Sequence, residues 1–103
     1  MINLVLLEGC QKCKKLEEEI KKRGLSYMKT YCEDDSGLCD YLESLVDSYQ
    51  YPMVLNVNSN NDIRQLFYVT DKYDHINNTR DLKNNIQAIG FYSVDKLIEF
   101  VTK

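Results

Sequence analysis

The first stretch of the chain, Leu4 to Leu7, is an unbroken apolar run, the pattern of a strand covered on both faces, and Glu8-Gly9 ends it. The period then changes. Cys13, Leu16 and Ile20 recur three and four apart, while Lys14, Lys15, Glu17, Glu18, Lys21 and Lys22 fall between them. This spacing predicts a helix over Lys14 to Arg23 with one buried stripe, and Gly24 supplies its stop. Leu25 to Tyr31 reads as a second strand, with Leu25, Tyr27 and Lys29 on one side and Met28 on the other. A short βαβ connection is right-handed, which sets this strand parallel to the first.

Glu33 to Ser36 is a polar turn, after which Leu38, Leu42, Leu45 and Tyr49, with Cys39 and Val46 beside them, predict a helix from about Gly37 to Tyr49. Tyr51-Pro52 stands at the mouth of another apolar run, Met53 to Val57, where a missing backbone N–H does least harm to a strand. Asn58 to Asp62 is a turn, and Ile63 to Thr70 reads as a strand returning antiparallel to the third. Asp71 to Thr79 is polar and irregular. Leu82, Ile86 and Ile89, spaced by four and three, predict a helix over Arg80 to Ile89. Ser93 is a good N-cap for a closing helix whose inner stripe is Val94, Leu97, Ile98 and Val101. Strands and helices alternate in the first half, so the class is α/β.

At 103 residues the chain is long enough for one core and too short for two. A net charge of −3, spread so that acidic stretches such as Glu17-Glu18-Glu19 are offset by neighbouring lysines, leaves no basic field for a phosphate backbone. Nucleic-acid binding is therefore not expected. The run from Ile2 to Leu7 lacks a basic leader and is too short for a secretion signal or a membrane span, so a cytoplasmic protein without membrane contact is expected. In such a compartment the four cysteines point to redox or metal chemistry more than to structural disulfides.

Two of those cysteines form Cys10-Gln11-Lys12-Cys13, at the junction between the first strand and the first helix. There the unpaired N–H groups and dipole of the helix favour a thiolate at Cys10. Cys13, one turn on, shares the face of Leu16 and Ile20 and is expected to be shielded yet within reach of Cys10. A pair so placed attacks a disulfide with the first sulfur and resolves the intermediate with the second. Cys-X-X-Cys also serves zinc, and Cys32 and Cys39 offer a second pair for a four-thiolate structural module. Their six intervening residues exceed the usual two to four, and Cys39 falls on the inner side of the second helix, where a buried thiol is the plain reading. A disulfide between Cys32 and Cys39 remains open at this level. His75 sits in a polar loop with no ligand pattern around it, and no metal ligand is assigned.

A βαβ half followed by a ββα half, Cys-X-X-Cys after the first strand and Tyr51-Pro52 ahead of the third together resemble the thioredoxin fold, and within it glutaredoxin. The resemblance implies a central four-stranded mixed sheet flanked by helices in one domain over 1–103, with 59–88 inserted before the last helix relative to a minimal glutaredoxin. It implies a cis Tyr51–Pro52 bond facing Cys10, and an enzyme that reduces protein disulfides or glutathione mixed disulfides. Cys10 and Cys13 are then catalytic. Gln11, Lys12, Gln50, Tyr51 and Pro52 line the substrate or glutathione site, with Ser93 and Asp95 holding the γ-glutamyl end. Ile89-Gly90-Phe91 resembles a loosened form of the family's glycine stretch ahead of that helix. No bound cofactor is implied. Glutathione is the co-substrate, glutathione or a disulfide reductase returns the electrons, and disulfide-bearing proteins such as ribonucleotide reductase are the acceptors. The usual proline and tyrosine of the motif are Gln11 and Lys12 here, and Lys12 brings a positive charge beside Cys10.

Overall fold

The computed structural model describes residues 1–71 and 86–103 in full and the backbone of 76–81. Its elements are β1 (Ile2–Leu6), α1 (Gln11–Lys22), β2 (Tyr27–Tyr31), α2 (Ser36–Ser44), β3 (Gln50–Val57), β4 (Ile63–Val69), β5 (Ile76–Asp81), β6 (Ile86–Phe91) and α3 (Val94–Val101). The strands form one mixed sheet in the order β2-β1-β3-β4-β6-β5. β1 is parallel to β2 and antiparallel to β3, β4 is antiparallel to β3, and β6 is parallel to β4 and antiparallel to β5.

The register decides which side chains share a face. Lys29, Leu4, Val54, Phe67 and Ile89 are successive partners across the sheet and look to one side. α1 and α3 cover that side: Glu17 of α1 bonds Lys29, and Phe100 of α3 packs 5.3 Å from Phe67 and 5.1 Å from Phe91, ring centre to ring centre. Met28, Asn3, Leu55, Leu66 and Ala88 look to the other, which is the side of α2. Leu4, Leu16, Ile20, Leu42, Met53, Val54, Leu66 and Leu97 are completely buried, so each helix closes on the sheet through part or all of its predicted stripe.

Three elements are bounded differently from the pattern. α1 starts at Gln11, not Lys14, because Cys10 caps it. At its far end Gly24 adopts the left-handed φ of +69°, and the Gly24 and Leu25 N–H groups return to Lys21 and Ile20 carbonyls, 3.0 and 3.2 Å away. Leu25 is spent on that cap, so β2 begins only at Tyr27. α2 stops at Ser44, and Tyr49, predicted on its inner stripe, lies beyond it and is 37% exposed.

The sheet has six strands where four were predicted, and of the helix predicted over Arg80 to Ile89 the described residues, Arg80, Asp81 and Ile86 to Ile89, are in strands. β5 and β6 pair there instead. Ile86, Ala88, Ile89 and Phe91 are all buried because β6 lies between two strands and is covered on both faces, so a three-residue apolar spacing imitated a helix. Leu82, the first residue of that supposed stripe, is outside the described residues.

Cys32 and Cys39 are joined by a disulfide with a Cα–Cα separation of 5.7 Å, closing the turn that leads into α2. Cys39 is thus buried as half of a bridge and not as a thiol. Closing a loop of sequence separation 7 removes chain entropy from the unfolded state equivalent to roughly 2.4 kcal/mol at 25 °C. The variant Cys32→Ala/Cys39→Ala is expected to lose about that much stability in urea unfolding, and the reduced wild type to unfold at a similar midpoint.

Candidate active site

The end of β1 delivers the chain to a tight turn at Gly9, whose φ of +74° is left-handed and suits only glycine well. The next residue, Cys10, has extended backbone angles and is the N-cap of α1. Its Sγ accepts the Cys13 N–H at 3.2 Å, the role a serine or aspartate oxygen usually plays, so the first sulfur is tied to the free N–H groups of the helix. Cys10 is partly exposed, whereas Cys13 is 3% exposed beneath it. Burial pushes the Cys13 thiol up to about 12; Cys10 and the Glu33 carboxylate add to the rise, and the Leu7 backbone offsets part of it. These are the two free cysteines among the described residues.

The site's other walls come from distant parts of the chain. Lys12 reaches across to Gln50 at the head of β3, Nζ to Oε1 2.9 Å, so the first turn of α1 is held against Gln50-Tyr51-Pro52. Gln11, the other residue between the cysteines, is exposed. Tyr51–Pro52 is a cis bond, and both residues are buried. The Tyr51 hydroxyl turns away to α2, donating to Glu43 at 2.7 Å, and burial followed by that bond raises its pKa.

No protein-family model, curated protein or solved structure matches the chain.

Ser93 caps α3, its Oγ accepting the Lys96 N–H at 3.3 Å. Asp95, expected to meet a substrate amine, is paired with Lys15 of α1 at 2.6 Å, with both side chains more than half exposed. α3 and α1 are thereby joined on the surface beside the cysteine motif. Gly90 is inside β6 and not in a ligand loop: a Cβ there would meet the Tyr68 ring at 2.8 Å and the Thr70 methyl at 2.9 Å. Its lack of a side chain lets the Tyr68 ring lie on the strand.

Three residues with a place at the site were not singled out from the sequence. Glu33 accepts the Glu8 N–H with both carboxylate oxygens, 3.3 and 3.4 Å, while Cys32 N–H bonds the Leu6 carbonyl at 2.9 Å. The disulfide-closed turn thus grips the loop that carries Cys10. Lys14 and Glu17 line a cavity of about 270 Å³ between α1 and β2, shared with Leu6, Cys10, Cys13 and Tyr31. Hydrogen bonds from Tyr27 and Lys29 outweigh the effect of burial and lower the Glu17 pKa, so it is a carboxylate at neutral pH. Among the described residues no group of three or more His, Cys, Asp or Glu side chains is placed to hold a metal, and Cys32 and Cys39 spend their sulfurs on each other. His75 lies outside the described residues. No helix among the described residues is long and apolar enough to cross a membrane.

Proposed function

We propose that the protein is a thiol–disulfide oxidoreductase of glutaredoxin-like type, acting through Cys10 and Cys13. The observation that carries this reading is the pairing of a partly exposed, helix-capping Cys10 sulfur with a buried Cys13 thiol one turn behind it. β1-α1-β2 followed by β3-β4-α3 supports a thioredoxin-like core, with β5 and β6 as an extension of its sheet. In this reading Cys10 as thiolate attacks a disulfide sulfur, the S–S bond breaks, and one half leaves as a thiol after taking a proton. Cys13 then gives up its proton, attacks the Cys10 sulfur and releases the second half, leaving Cys10–Cys13 oxidised and the substrate reduced by two electrons. Glutathione or a disulfide reductase restores the pair. Gln50, the Tyr51 backbone and Pro52 border the substrate on one side and Ser93 on the other, with Lys12 and Lys15 as cations beside them. Disulfide-bearing proteins of the cytoplasm, ribonucleotide reductase among them, are the acceptors in this proposal.

The test is reduction of two substrates, a glutathione mixed disulfide and the disulfides of insulin. Wild type is expected to turn over both. Cys13→Ser is expected to keep the first within about tenfold and lose the second, because a monothiol completes exchange with glutathione and cannot resolve a protein intermediate. Absence of both activities in wild type overturns the proposal.

A further inference from the structure

Lys14 and Glu17 are one turn apart on α1 and therefore side by side on its surface. Both line the cavity that opens beside Cys10 and Cys13. Glu17 receives the Tyr27 hydroxyl at 2.7 Å, Lys29 at 3.0 Å and Lys21 at 3.9 Å, and all three approach the same oxygen, Oε2. Its other oxygen, Oε1, accepts no hydrogen bond among the described residues although the side chain is only 13% exposed. The Lys14 ammonium likewise has no partner among them. The wall next to the two sulfurs thus presents one oriented anionic acceptor and one cation, against an aromatic ring from Tyr31 and the apolar Leu6.

A group carrying an ammonium and a carboxylate on neighbouring atoms matches that wall, and a single charge does not. A cation alone meets Lys14, Lys21 and Lys29; an anion alone meets Glu17. At about 270 Å³ the space is at the small end of ligand pockets, the size for an amino acid. We propose that this cavity is a subsite for the α-amino and α-carboxylate groups of cysteine, so that cystine and mixed disulfides ending in free cysteine are preferred substrates. The inference rests on the oxidoreductase reading and specifies its substrate. Cys10 thiolate attacks the sulfur of the half seated in the cavity, the other cysteine leaves and is protonated, and Cys13 releases the seated half as a second cysteine. The Cys10–Cys13 disulfide that results is reduced again by an external dithiol.

The experiment mixes full-length protein, pre-reduced with dithiothreitol and desalted, with L-cystine, with cystamine, which lacks the carboxylates, or with 3,3′-dithiodipropionate, which lacks the ammonium groups. Oxidation of the Cys10–Cys13 peptide is followed by mass spectrometry. Cystine is expected to react roughly tenfold faster than either, the scale of one charge-assisted hydrogen bond. Glu17→Gln is expected to lower the cystine rate about tenfold and to speed dithiodipropionate, which no longer meets the opposing carboxylate. Lys14→Ala, at an exposed position without a partner to disturb, is expected to slow cystine and dithiodipropionate and spare cystamine. Glu18→Gln, on the exposed face, is the control. Reaction with all three disulfides at equal rates, or equal slowing of all three in the variants, overturns the subsite and leaves the oxidoreductase reading intact. Reaction with none overturns both.

Discussion

Cys10→Ser is expected to lower disulfide exchange by on the order of a thousandfold or more, to the background of the uncatalysed thiol, while the protein stays folded. A serine oxygen keeps the cap, since Ser is among the preferred N-cap residues, so the first turn of α1 is expected to survive the change. What disappears is the one thiol that is both exposed and tied to the helix terminus. Cys13 cannot stand in for it. With its thiol pushed up to about 12, fewer than roughly one Cys13 in a thousand is a thiolate at pH 7.5, and its sulfur is shielded as well. The residual rate of the serine variant is therefore expected to rise with pH over the range in which the protein stays folded, since burial still favours the protonated Cys13 thiol. Assays against a glutathione mixed disulfide and insulin, with far-UV circular dichroism to check the fold, decide the matter. A serine variant that retains a tenth of the activity means that the chemistry resides elsewhere.

The burial difference between the two cysteines was legible in the sequence because it follows from periodicity alone. Cys13 keeps step with Leu16 and Ile20, and Cys10 precedes the stripe. The place of Cys10 at the head of α1 was legible too, from the turn at Gly9 and the helix that follows; only the start of the helix, read at Lys14, fell three residues late, because the polar Gln11 and Lys12 gave no apolar signal. β1, β3, β4 and α3 were legible for the same local reasons, an apolar run ending at a turn or a stripe opened by Ser93. β6 was not, because a strand covered on both faces gives no alternation, and the Ile86–Ile89 spacing fits either structure. The contacts that complete the site are of a different kind. Lys12 with Gln50, Glu8 with Glu33, and Lys15 with Asp95 join residues 25 or more positions apart. Nothing in the local pattern encodes such a pair, and Asp95 read in isolation looked like a free carboxylate.

The stability that holds Cys10 in place comes from the stripe behind it, and Leu16→Ala is expected to cost the fold about 2–5 kcal/mol. Leu16 is completely buried between Cys13 and Ile20 on the inner face of α1, where the helix lies on the sheet beside α3. Removing its isopropyl group forfeits the transfer free energy and leaves a void that the sheet beneath cannot close, because strands on both sides of β1 fix its position. For a domain whose total stability is of the order of 5–15 kcal/mol, that loss is a large fraction. It corresponds to a fall in melting temperature of roughly 10–30 °C. Glu18→Ala, two residues on and exposed, is expected to stay within about 0.5 kcal/mol of wild type. Thermal and urea unfolding of the two variants measure the contrast. Similar losses at both positions mean that α1 is not anchored by this stripe, and the placement of Cys10 at its head loses its support. A large loss at Leu16 alone, with exchange per folded molecule unchanged, separates the scaffold that positions the sulfur from the sulfur's own reactivity.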